Sequence, residues 1–256
     1  MLNEGDIKAA VIDKLFASDA LTNAVLINEM VIANWSRRAD LVVANGKLHA
    51  FEIKSDLDTL RRLDGQVETY LQRFDKVTVV CTEKFAHLIK DSTDSRVEIW
   101  CATPTDRGIK LSVFRRGQSF RVSNKRILCA YLHKPELVGL LKREGRNVSV
   151  ETPRIQLEFE VEALSVRQVR EFVLQSLKER YKSTFDQFCA TRQNQTHPDD
   201  LERLSKFKNH FQEEDASEEE IFPARPENAT QLDLSALSAK FGPLPSDMPT
   251  YVRRRA

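Results

Sequence analysis

Residues Arg38 to Lys54 read Arg-Ala-Asp-Leu-Val-Val-Ala-Asn-Gly-Lys-Leu-His-Ala-Phe-Glu-Ile-Lys. Two apolar runs, Ala39 to Val43 and Leu48 to Ile53, flank Asn45-Gly46. Asn and Gly accept the positive φ angles of a tight turn, so the stretch predicts a β-hairpin. Within Phe51-Glu52-Ile53-Lys54 the two-residue period of a strand sends Glu52 and Lys54 to one face and Phe51 and Ile53 to the other. A carboxylate and an ammonium then stand side by side. Asp40, twelve residues before Glu52, is an acid amid apolar neighbours on the preceding strand, and the hairpin can bring it near Glu52.

Upstream, Val25 to Ile32 has strand composition. In residues 5 to 17, Ile7, Ala10, Val11, Lys14 and Leu15 fall at helical intervals, with Glu4 and Asp6 in the first turn, where the helix dipole favours acids. Downstream, Leu60, Leu63, Val67, Leu71 and Phe74 recur every three or four residues, predicting an amphipathic helix over Thr59 to Phe74 with Asp58 as its N-terminal cap. Lys76 to Cys81 is a β-branched run, Glu83 to Lys90 suits a short helix, and Val97 to Ala102 is an apolar run ended by Thr103-Pro104. This order describes an α/β domain ending near residue 122, its later strands parallel across crossover helices. Arg126 to Glu144 and Ser165 to Tyr181 read as helices of an extension over 123–190; Ser165 is the cap of the second, with Val166, Val169, Val173 and Leu177 on one face. From 191 to 256 the chain is polar, acidic and proline-containing, the composition of a flexible tail.

With 41% hydrophobic residues in 256, the chain can bury a substantial core. Its 39 basic and 38 acidic residues leave a net charge of +1, so any nucleic-acid-binding surface must be local. One candidate strip holds Lys110, Arg115, Arg116, Arg121, Lys125 and Arg126, interleaved with Phe114 and Phe120 and free of acids; the competing reading is a solvated hairpin whose phenylalanines face the core. Cys81, Cys101, Cys129 and Cys189 are too scattered for a structural metal site and read as free thiols. The N-terminus lacks the apolar run of a signal peptide or membrane span, which points to the cytoplasm. No G-x-S-x-G elbow or phosphate-binding glycine loop supports another hydrolase class.

Two carboxylates converging beside apolar surface repel each other, and a hard divalent cation relieves that repulsion. Mg²⁺ or Mn²⁺ is the expected ion. Such an ion lowers the pKa of a bound water and neutralises charge growing on a phosphate oxygen, while a neighbouring lysine orients the nucleophile. Asp40, Glu52 and Lys54 thus have the equipment for phosphodiester hydrolysis.

An acid on one strand followed by E-x-K on the next resembles the PD-(D/E)XK nuclease superfamily, with Ala39 in place of the proline. More narrowly, Arg38-Ala39-Asp40-Leu41, the run from Glu52-Ile53-Lys54-Ser55-Asp56 through Asp58-Thr59-Leu60, and Gln66-x-x-x-Tyr70 are similar to small bacterial and phage nuclease-like proteins and to the RecB-type branch. The match covers roughly residues 1 to 105. The resemblance implies a restriction-endonuclease-like mixed sheet flanked by helices, and a deoxyribonuclease using Mg²⁺ or Mn²⁺. Asp40, Glu52 and the Ile53 carbonyl would bind metal, with Lys54 at the attacking water. Among Glu4, Asp6 and Glu29, the further acid is assigned to Glu29, because the other two have an ordinary explanation as first-turn acids. Arg62, Gln66 and Tyr70, spaced by four on one helix side, would contact DNA. A homodimer and a protein partner for the C-terminal third accompany this reading. The rival is a catalytically silent DNA-binding or protein-interaction module on the same scaffold.

Overall fold

The computed structural model describes residues 1–32 and 37–204, together with the short segments 229–231 and 251–253. Met1–Phe211 form one compact unit and Gln212–Ala256 a second. In the second unit two short strands pair antiparallel, residues 229–231 with 251–253. The rest of the expected tail beyond Leu204 lies outside the described residues.

The first unit is built on a six-stranded mixed sheet whose order follows the chain: β1 (Val25–Ile32), β2 (Arg37–Ala44), β3 (Leu48–Lys54), β4 (Lys76–Thr82), β5 (Glu98–Thr105) and β6 (Gly108–Arg115). β1, β2 and β3 form an antiparallel meander, β3, β4 and β5 run parallel, and β6 returns antiparallel. The expected hairpin is present: Ala44 pairs with Leu48, and Gly46 takes φ +99° in the loop between them. Every residue of β3 is buried, because parallel central strands are covered on both faces.

Helix α1 (Glu4–Ala17) packs over the sheet with Ile7, Val11, Ile12 and Leu15 inward, and Asn3 caps it by accepting from the Asp6 N–H. The crossovers are α2 (Leu63–Arg73) between β3 and β4, and α3 (Glu83–Ser92) between β4 and β5. α2 starts later than its apolar spacing suggests, and Asp58 does not cap it. The Asp58 carboxylate instead accepts from the Ser55 N–H and hydroxyl, closing the turn where β3 leaves its ladder.

The segment after residue 122 is helical and packs within the same compact unit. The single helix expected over Arg126 to Glu144 is two, α4 (Lys125–Cys129) and α5 (Lys134–Arg143), with Pro135 in the first turn of α5. A proline is tolerated there but would break a continuous helix. A short α6 (Arg154–Val161) precedes α7 (Val166–Thr191), which Ser165 caps as expected and which continues ten residues past Tyr181. α7 is fastened to the sheet by a buried pair: the two terminal guanidinium nitrogens of Arg170, Nη1 and Nη2, donate to Asp75 at 2.9 and 3.0 Å. Asp75 also accepts from the Leu48 and Val122 N–H groups.

The basic strip is divided in use. Arg115 turns back to donate to the carbonyls of Lys90, Thr93, Asp94 and Val97, satisfying the end of α3 and its following turn. Phe114 and Phe120 do not face the core, being 37% and 51% exposed. Between them, Gly117 lies so close to β5 that an added Cβ would stand 2.4 Å from the Glu98 nitrogen and 2.6 Å from the Arg96 oxygen. Gly117→Ala should therefore push this strap off the sheet and cost about 1–3 kcal/mol. Urea unfolding that matched the wild type would show that the strap yields freely.

Candidate active site

At the C-terminal end of β3 the structure opens a cavity of about 430 Å³ lined by Glu4, Val31, Arg37, Arg38, Asp40, Glu52, Ile53, Lys54, Asp58, Arg62 and Gln66. The meander creates the acidic pair: Leu41 pairs with Phe51, so the next position along each strand sets Asp40 beside Glu52. Asp40 Oδ2 accepts from the Ile53 N–H at 2.7 Å, which fixes the carboxylate against β3. Lys54 Nζ donates to Glu52 Oε1 at 2.8 Å and to Gln66 Oε1 at 3.3 Å. The alternation read from the sequence thus places Glu52 and Lys54 on one face, and Gln66 on α2 reaches their ammonium.

Tyr70 has a different place from the one expected. It is fully buried and does not line the cavity. Its hydroxyl lies 2.8 Å from both Glu52 Oε2 and the Arg38 carbonyl, so it holds the carboxylate from behind. Burial, and then the Glu52 charge, push the phenol upward and keep it a donor. Arg62 and Gln66 border the cavity, one helical turn apart at the start of α2.

Glu29, the acid expected to complete a metal shell, is likewise not in the cavity lining. It lies across from Asp40, in register between the pairs Asn28–Leu41 and Met30–Ala39. Its φ of +56° departs from strand geometry, a strain that a non-glycine residue tolerates only where its surroundings hold it. Those surroundings are ionic: Lys8 Nζ is 3.8 Å from Oε1 and Arg38 Nη1 is 3.3 Å from Oε2. Glu4, explained in the sequence as a first-turn acid, is the one that lines the cavity. It is ion-paired with Lys8 at i+4, a spacing legible in the sequence, although nothing there shows that Glu4 shares a cavity with Asp40.

Burial first, and the Glu52 carboxylate second, push the Asp40 carboxyl up to about 7, with Lys8 and the Ile53 N–H pulling the other way. The pair is therefore short of positive charge at neutral pH, and its all-oxygen donor set suits a hard cation. Among the described residues no group of three His, Cys, Asp or Glu forms a ready cage. A cation here would rest on Asp40, Glu52 and a main-chain oxygen such as that of Ile53.

A carboxyl raised from 3.8 to about 7 favours the protonated folded form, so this group's contribution to metal-free stability is greatest below 3.8 and is lost as pH rises toward 7. Divalent cation binding should strengthen from about pH 5.5 to 8 and release roughly one proton per ion below neutrality. Calorimetry in two buffers of different ionisation enthalpy measures that proton; pH-independent binding without release would contradict this electrostatic account.

On the remote side of β3, His49 Nε2 meets Thr78 Oγ1 at 2.7 Å, and Glu98 accepts from Trp100 at 2.8 Å and pairs with Lys76 at 2.9 Å. Burial drives the His49 pKa well down. Cys81, Cys101 and Cys129 are buried and Cys189 exposed, all as free thiols. Among the described residues no helix is long and apolar enough to cross a membrane.

The family model described as bacteriophage P4 protein cII matches residues 1–205. The chain belongs to the bacteriophage P4 cII protein family. "Protein cII" of Enterobacteria phage P4 is 35% identical over 263 residues, covering 100% of this chain and 98% of the relative. The cII match thus spans the sheet, the cavity and the helices through Leu204. Among solved structures, the SPO1766 protein of unknown function from Silicibacter pomeroyi is similar over 59% of this chain and 99% of its own, with TM-score 0.38 and 16% identity.

Proposed function

We propose that this cII-family protein is a metal-dependent deoxyribonuclease with a PD-(D/E)XK centre on a restriction-endonuclease-like fold, hydrolysing DNA phosphodiester bonds with Mg²⁺ or Mn²⁺. The observation that carries the reading is the convergence of Asp40, Glu52 and Lys54 in one cavity at the end of β3. The sheet supports it too, since an antiparallel meander feeds a parallel centre at the strands that bear the acids.

Asp40, Glu52 and the Ile53 carbonyl would hold the ion; Glu4, unlike Glu29, lies in the same cavity, where it is ion-paired with Lys8. Bound there, a divalent cation would supply Lewis acidity toward a phosphate oxygen. The protein's own groups do the rest. Lys54, kept toward the cavity by Gln66, orients a water and stabilises charge on the scissile phosphate. Tyr70 fixes Glu52 and is a positioning residue rather than a DNA contact. Arg37, Arg38 and Arg62 at the cavity lining supply positive charge for the DNA backbone.

The test is cleavage of plasmid, linear duplex and single-stranded DNA with Mg²⁺, Mn²⁺ or chelator, by wild type and Asp40→Ala. Cutting that needs metal and falls by about 10²–10⁴-fold in the variant is expected. DNA binding without cutting under any condition would point instead to a silent module working with a partner.

A further inference from the structure

Lys54 is not the only buried cation of this region. Lys8 is 4% exposed and lies on the inward side of α1, among Ile7, Val11 and Ile12. An ammonium at such a position persists only when anions surround it. Its nitrogen is 2.7 Å from Glu4 and 3.8 Å from Glu29, and its charge acts on Asp40. Glu4 shares the cavity with Asp40, while Glu29 sits across the strand from Asp40 in its strained conformation. Asp40 thus has Glu52 beside it on β3 and Glu29 opposite it on β1, and Lys8 joins Glu29 to Glu4, which lines the cavity with Asp40.

Centres that hold two divalent ions about 3.5–4 Å apart share a carboxylate between them, with further acids outside each ion. Asp40, on the strand between Glu29 and Glu52, would be the carboxylate that two ions share, and Glu4 and Glu29, both ion-paired with Lys8, would be the outer acids of one of them. We infer that the Lys8 ammonium is a resident cation occupying the place of a second divalent ion, so that the site takes a single ion. This inference rests on the nuclease reading above. It also explains why Glu29 stays out of the cavity: its charge is already answered by Lys8 and Arg38.

Counting Mn²⁺ bound at equilibrium by the full chain, from the resonance signal of the free ion, tests it without reference to activity. One ion is expected in the wild type, none in Asp40→Ala, and two in Lys8→Ala, where the shortened side chain vacates the place. Glu29→Gln should leave one ion with affinity changed by less than about threefold, whereas removal of a true ligand or its close support weakens binding by about 10–100-fold or more. Two ions in the wild type, one ion in a folded Lys8→Ala, or ligand-sized weakening in Glu29→Gln would each overturn the inference while leaving the metal site standing. No ion in the wild type would overturn the inference and the metal-dependent reading together. Should Lys8→Ala fail to fold, the wild-type count and Glu29→Gln still decide.

Discussion

Lys54→Ala is expected to lower metal-dependent DNA cleavage by about 10²–10⁴-fold while metal binding is kept or strengthened. The two effects separate because of what the ammonium touches. Lys54 sits on Glu52 Oε1 at 2.8 Å, so it would compete with a cation for that oxygen, and in the proposed reaction it is also the group that orients the water. Removing it unmasks a carboxylate oxygen and, under the proposed mechanism, deletes a transition-state interaction. Glu52 is 1% exposed and would lose a buried partner, so the metal-free variant should also melt lower and recover most of that loss on adding Mg²⁺. Single-turnover cleavage, calorimetric Mg²⁺ titration and thermal melting together check the prediction. Unchanged cleavage would remove Lys54 from the mechanism, and loss of Mg²⁺ binding would mean that the ammonium organises the acids rather than competing for them.

The second large effect concerns stability. Arg170→Met should reduce the free energy of unfolding by about 3–5 kcal/mol, because it strands the Asp75 carboxylate in the interior. Asp75 and Arg170 side chains are only 3% and 9% exposed, and their ion pair joins α7 to the sheet. Asp75 also holds the Leu48 and Val122 N–H groups, so it links the start of β3 to the strap after β6. Replacing both residues, as Asp75→Asn with Arg170→Met, should cost less than the two single losses added, since the unpaired charge is gone. Chemical denaturation of the four proteins measures the coupling. A single-variant loss under about 1 kcal/mol would mean that the apolar stripe of α7 suffices to hold it.

Much of the centre was legible because it depends on short-range periodicity. The two-residue period of a strand fixes Glu52 and Lys54 to one face whatever surrounds them, and Asn45-Gly46 fixes the hairpin that returns Asp40 to Glu52. α7 was legible for the same kind of reason, a cap at Ser165 and a stripe of Val169, Val173 and Leu177. Less was legible where a residue's role depends on what lies across space. Glu4 has a complete local explanation at a helix start, and only the packing of α1 carries it to the cavity. Tyr70 belongs to a spacing of four with Arg62 and Gln66, yet the direction of α2 buries it behind Glu52 while the other two reach the opening. Residues Ile155 to Val161 alternate apolar and polar as a strand would, yet α6 is a helix that buries only Leu157 and Val161 and leaves Ile155 and Phe159 exposed.

The hairpin, the α/β order of elements and the pairing of Glu52 with Lys54 can be read from the residues alone, because each follows from backbone geometry within a few positions. Only packing in three dimensions puts Glu4 rather than Glu29 in the cavity lining, buries Lys8 between those two carboxylates, and carries Asp75 to Arg170 across 95 positions of chain. Those choices rest on the desolvation of charges, which exists only once the elements have packed and water has been excluded between them.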